Sequence, residues 1–113
     1  MESRPLKRSS EYKTRVKSYA LGLAERYRPE IADAFLARVE EAEALLAANH
    51  NAGTDSPYLL AGQHVVLKEL YFDSGPVKYC LIYEVTDAYV GLISLWHGTG
   101  LRKTGTLIRK WGP

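Results

Sequence analysis

"VKYCLIYEVTDAYVGLISLWHG", residues 77–98, decides how the rest of the chain is read. Two β-branched, aromatic-rich runs flank the turn formers Thr86–Ala88, which predicts an antiparallel hairpin. A third run, "HVVLKELYF", precedes it across the short connection Asp73–Pro76, so three consecutive strands form a meander. Strict alternation in the middle strand puts Val77, Tyr79, Leu81, Tyr83 and Val85 on one face and Lys78, Cys80, Ile82 and Glu84 on the other. The first set is apolar enough to meet another layer. The second is mixed, and is expected to face solvent or a partner.

The missing layer lies upstream. In "SEYKTRVKSYALGLAERY", Val16, Tyr19, Ala20, Leu23, Ala24 and Tyr27 recur at helical spacing, with Ser9 or Ser10 as N-cap. Pro29 stops that helix and suits the first turn of the next, whose apolar face is Ile31, Phe35, Val39, Ala42 and Leu46. "NHNAGTDSPY" is rich in turn formers and ends it. Two helices joined this closely lie antiparallel. The expected fold is α+β in two layers: an αα-hairpin packed on an antiparallel meander of three strands. "RPLKRS" supplies a possible N-terminal edge strand, the one kind of strand that suits Pro5.

The 113 residues read as a single domain, residues 1–113, with ordinary globular composition (46% hydrophobic, 25% charged). Neither a signal peptide nor a membrane span is expected, and a lone Cys80 points to a reducing cytoplasm. The net charge of +2 is unevenly spread. Residues 1–28 carry eight basic and three acidic side chains, whereas residues 29–56 carry one basic and six acidic. A basic C-terminal extension, about residues 101–113, holds Arg102, Lys103, Arg109 and Lys110 with no acid, a pattern that attracts acidic surfaces.

Chemistry-bearing motifs are few. Phosphate loop, zinc-ligand spacing and nucleophile elbow are all missing from the sequence, and no cofactor or metal is expected. His50 and His64 read as surface residues. His97 stands out because it closes the last strand next to Trp96 and just before a basic stretch, where an imidazole could serve as an acid beside a phosphodiester. The competing reading is simpler: His97 is the polar end of a hairpin.

An αα-hairpin of the form "ERYRPEIADAFLARVEEAEALLA", followed by a meander with "YCLIYEV" and a closing "LWHG", resembles the RelE/ParE superfamily of bacterial type II toxin–antitoxin systems. The resemblance spans roughly residues 5–103. It implies one of two activities. ParE-like members poison DNA gyrase by binding it, and RelE-like members are endoribonucleases that cut messenger RNA on the ribosome. The family's middle strand commonly carries arginines after its tyrosines, and its last strand often has one before the closing His-Gly. Here Tyr79, Tyr83 and His97-Gly98 match, while the arginine positions fall on Cys80, Glu84 and Ser94. A phosphodiester transition state gains most from fixed cations, so these losses favour the binding poison. For a nuclease, the candidate groups are His97, Lys68, Lys78, Arg102 and Lys103.

The resemblance also implies a cognate antitoxin and a hetero-oligomer with it. Its expected docking strip is the mixed sheet face: Cys80, Ile82, Leu92 and Trp96, with Lys78 and Glu84 at the margins and Arg109 and Lys110 steering an acidic partner. A third possibility is a family member that keeps antitoxin binding and has lost toxicity.

Overall fold

The computed structural model describes residues 4–98. Its elements run β1 (Leu6–Arg8), α1 (Ser10–Arg26), α2 (Pro29–Ala48), β2 (Thr54–Leu60), β3 (Gln63–Ser74), β4 (Val77–Val85) and β5 (Val90–His97). The two helices pack on a five-stranded mixed sheet of order β1-β5-β4-β3-β2. β1 is parallel to β5, and the other neighbours are antiparallel. The α+β class is as expected, and the three-strand meander forms the centre of the sheet. It gains two edge strands rather than one. β1 is the N-terminal edge, and β2 begins within the stretch taken as turn formers and runs on to Leu60.

Helix ends follow local chemistry. The Ser9 hydroxyl caps α1 by accepting from the Tyr12 N–H at 3.0 Å, and Pro29 occupies the first turn of α2. β2 and β3 are joined by Ala61-Gly62, both at positive φ (52° and 80°), the twist that suits a two-residue hairpin loop. Pro57 is tolerated because β2 is an edge. Gly53 brings the chain into β2 where no side chain fits, since a Cβ there would lie 2.6 Å from both the Glu69 carbonyl oxygen and the Tyr83 hydroxyl. Its N–H donates to that hydroxyl at 2.8 Å, and the hydroxyl donates to the His50 carbonyl at 3.0 Å.

Tyr79, Leu81 and Tyr83 of β4 are buried against Phe35, Val39, Ala42 and Leu46 of α2, with Tyr12 from α1. Val77 and Val85 join this core at its margins, so the assignment of the first β4 face to the helices holds. Tyr27 and Ile31 depart from the apolar stripes: both are exposed.

The second face differs from expectation. Cys80 and Ile82 are completely buried, in a cluster with Tyr58, Leu60, Leu67 and Ile93. They do not form an exposed strip. Tyr58 and Leu60 come from β2, the unforeseen strand. Leu92 lies on the helix side. A bulge in β5 shifts the register so that Ile82 faces Ser94 but Tyr83 faces Leu92, leaving Ile93 as the extra residue. Alternation across the bulge therefore changes sign, and Leu92 and Leu95 both enter the helix-side core.

Phe35 is fully buried, so Phe35→Ala should destabilise the protein by about 3–5 kcal/mol in denaturant unfolding. Gly22 lies inside α1 with nothing within 4 Å of a Cβ placed there. Gly22→Ala should therefore raise stability by about 0.5–1 kcal/mol in the same measurement.

Candidate functional site

The end of β5, the start of β4, the β3–β4 turn and the turn between the helices all lie at one end of the molecule. His97 stands there, opposite Tyr79 in the β4–β5 register. Helical spacing in α1 brings Arg15 and Tyr19, one turn apart, over the same place. The His97 N–H donates to the Tyr19 hydroxyl at 3.1 Å, and Arg15 Nη2 donates to that oxygen at 2.8 Å. Arg15 Nε donates to the Leu95 carbonyl at 2.5 Å, and the guanidinium lies 3.9 Å from the centre of the Trp96 ring. One arginine thus holds the end of the strand through a hydrogen bond to Leu95 and a cation–π contact with Trp96, and braces the Tyr19 hydroxyl that accepts from His97.

Aromatic rings continue inward. The His97 ring centre is 6.2 Å from Tyr19 and 5.8 Å from Tyr79. Tyr79 in turn meets Phe35 at 4.9 Å and Phe72 at 5.6 Å. Burial, then the neighbouring Tyr19, push the Tyr79 hydroxyl above the usual tyrosine range, so it stays neutral at physiological pH. His97 itself is exposed. Among the described residues its imidazole makes no hydrogen bond, and no carboxylate orients it as general-acid pairs require.

Beside this cluster, and sharing Tyr79 with it, lies an open apolar cleft of about 480 Å³. Leu23, Tyr27 and Ile31 from the helices form one wall, and Pro76 and Val77 the other. The exposed Tyr27 and Ile31 thus belong to a concave surface rather than to scattered positions.

Among the described residues, the cations expected of a nuclease, Lys68 and Lys78, are not brought together with His97. Lys68 pairs with Asp55 at 2.7 Å and faces Tyr83 in register. His97 faces Tyr79, and four residues of strand separate these two partners by roughly 13 Å. Lys78 is next to Tyr79, so its side chain leaves by the opposite face, where it pairs with Asp73 at 3.2 Å. Arg102, Lys103, Arg109 and Lys110 lie outside the described residues. Of the expected docking strip, Trp96 is half-buried beneath Arg15, and Glu84 is half-buried opposite Gly91. Two of the positions where the resemblance implies arginine, Cys80 and Ser94, are fully buried. Ser94 donates to the Glu11 carboxylate.

Sequence reading missed Arg15 and placed Tyr19 only in the helix stripe. The usable signal was their i, i+4 spacing on the α1 flank that also carries the buried stripe. Among the described residues no group of three or more histidine, cysteine, aspartate or glutamate side chains is placed to hold a metal ion, and no helix is long and apolar enough to cross a membrane. No protein-family model matches the chain, and no curated protein matches it either.

Arg15→Ala should cost about 1–2 kcal/mol through two lost hydrogen bonds and the uncovered indole. In a Trp111→Phe background, where Trp96 is the one remaining tryptophan, its fluorescence should shift to longer wavelength.

Proposed function

We propose that the protein is a toxin of the RelE/ParE type that acts by binding, with DNA gyrase as its target and a cognate antitoxin as its neutraliser. The observation that carries the choice of a binder is the dispersal of the nuclease candidates among the described residues. Lys68 is remote from His97, Lys78 leaves by the other face, and both lysines are paired with aspartates. A nuclease needs its acid and its cations converging on one phosphate. The interior positions of Cys80 and Ser94 support the same choice, since they leave no room for the arginines of an RNA-facing sheet.

What the described end of the molecule offers is an apolar cleft edged by Tyr27 and Ile31 and continuous, through Tyr79, with the rings around His97. Concave apolar surface with exposed aromatic rims suits the anchoring side chains of a protein partner. The αα-hairpin followed by a strand meander is also the arrangement that the resemblance implies. In this reading His97 helps to shape the partner surface and transfers no proton.

Controlled expression in bacteria, scored separately for the DNA-damage response and for translation arrest, tests the assignment. The expected result is growth arrest with a DNA-damage response, inhibition of gyrase supercoiling by the purified protein, and toxicity that survives His97→Ala. Translation arrest with ribosome-dependent cleavage, lost by about 10²–10⁴-fold in His97→Ala of normal stability, would establish the nuclease instead. Absence of any growth effect would point to the non-toxic member that retains only antitoxin binding.

A further inference from the structure

The charge imbalance between the two helices has no role in the function proposed above, yet the fold gives it a definite place. Outside the core, α1 and α2 enclose a shallow groove floored by Val16, Ala20 and Val39. Its α1 rim carries Lys13, Lys17 and Leu21, and its α2 rim carries Leu36 and Glu40. Leu21 is 53% exposed and Leu36 37%, so two large apolar side chains face solvent beside each other. Lys13, Lys17 and Glu40 make no ion pair among the described residues. Glu43, deeper in the groove, is already engaged by Arg8 at 2.6 Å and by the Tyr12 hydroxyl at 2.7 Å. One rim is thus basic and the other acidic, and both end in leucine towards the hairpin turn.

We propose that this groove binds the same groove of a second copy of the chain, forming an antiparallel four-helix bundle across a two-fold axis that runs along the groove. The axis preserves height along the hairpin and exchanges the rims. α1 of one protomer therefore faces α2 of its partner, and because the hairpin is antiparallel, the facing helices are antiparallel too. Counted from the turn, Leu21 and Leu36 lie at about the same height, as do Lys17 and Glu40. The operation places Leu21 of one copy on Leu36 of the other, and Lys17 of one on Glu40 of the other. Every contact occurs twice. A two-fold axis across the helices would instead set the α1 rim on itself, with no acid opposite Lys17, so charge selects the first arrangement. The groove shares no lining residue with the cleft or with the His97 cluster.

Sedimentation velocity of the full chain over a wide concentration range tests the proposal. A reversible dimer is expected. Lys17→Glu and Glu40→Lys should each weaken it about tenfold, because each change breaks two equivalent pairs and introduces like charges. The double variant Lys17→Glu/Glu40→Lys exchanges the rims and should restore the affinity. Leu21→Glu should leave a monomer. All three substitutions are at solvent-facing positions, so the thermal unfolding midpoint extrapolated to low concentration should not move. A chain that is monomeric throughout overturns the proposal, as does a dimer indifferent to the charge exchange, which would be held by another surface. Loss of a different protein's binding in Leu21→Glu, with a monomeric wild type, would assign the groove to that protein and equally refute self-association.

Discussion

A buried serine at the start of α1 fixes how the two layers meet. Ser9 is completely inaccessible, and its three polar groups are all used. Its N–H donates to the Leu92 carbonyl at 3.0 Å, its hydroxyl donates to the Ile93 carbonyl at 2.5 Å, and the same oxygen caps α1. Those two carbonyls belong to the bulge in β5. A bulge costs a sheet some of its ladder bonding and leaves polar backbone to be satisfied elsewhere. Here the N-terminus of α1 satisfies it. The helix is thereby anchored to the strand at the point where the strand changes face, and Tyr12, Val16 and Tyr19 follow at helical spacing over β5 and β4. Below the anchor, the α1 flank reaches Ser94 through Glu11, Leu95 through Arg15 and His97 through Tyr19.

How far the sequence could be read follows from this anchor. The helices were legible because their apolar spacing is local and their stops, Ser9 and Pro29, act on adjacent backbone. β3, β4 and β5 were legible from composition, and the face of β4 that meets the helices was correctly identified from alternation alone. β2 was not, because Pro57 and the polar Thr54–Ser56 weigh against a strand in any local reading. Its pairing with β3 is decided by the Ala61-Gly62 turn and by the close approach at Gly53, both of which depend on the partner strand. The bulge is similarly non-local. Nothing in "VGLISLW" marks Ile93 as the extra residue, since its carbonyl is satisfied by a serine 84 positions away. The docking strip inferred for the second face was therefore misplaced: Leu92 crosses to the helices, and Cys80 and Ile82 are enclosed.

The candidate site was legible in part for the same reason. His97 is conspicuous by its place at the end of an apolar strand, and Tyr79 by its parity in β4. Arg15 and Tyr19 are separated from His97 by some eighty residues, and only the parallel pairing of β1 with β5 brings α1 over that strand end. A charged residue on a half-buried helix flank, one turn from an aromatic, was the local clue. It gains meaning only once the strand beneath it is known.

The way His97 is held bears on what it can do. A histidine that transfers protons is usually oriented through one ring nitrogen, so that the other is aimed and its tautomer fixed. Here the fold fixes the backbone of His97 through Tyr19 and surrounds its ring with Tyr19 and Tyr79, while the ring nitrogens are left to solvent among the described residues. Such an arrangement sets the shape and position of an aromatic surface. It leaves direction and tautomer unspecified, which are what acid–base catalysis depends on. Tyr79 carries the same logic further, since one ring faces both His97 and the apolar cleft. A ligand side chain entering the cleft would press on a ring already backed by Phe35 and Phe72, a rigid wall rather than a mobile group. Rigid apolar walls bind with little loss of side-chain entropy, and that is the physical ground on which the proposed function places a partner surface at this end.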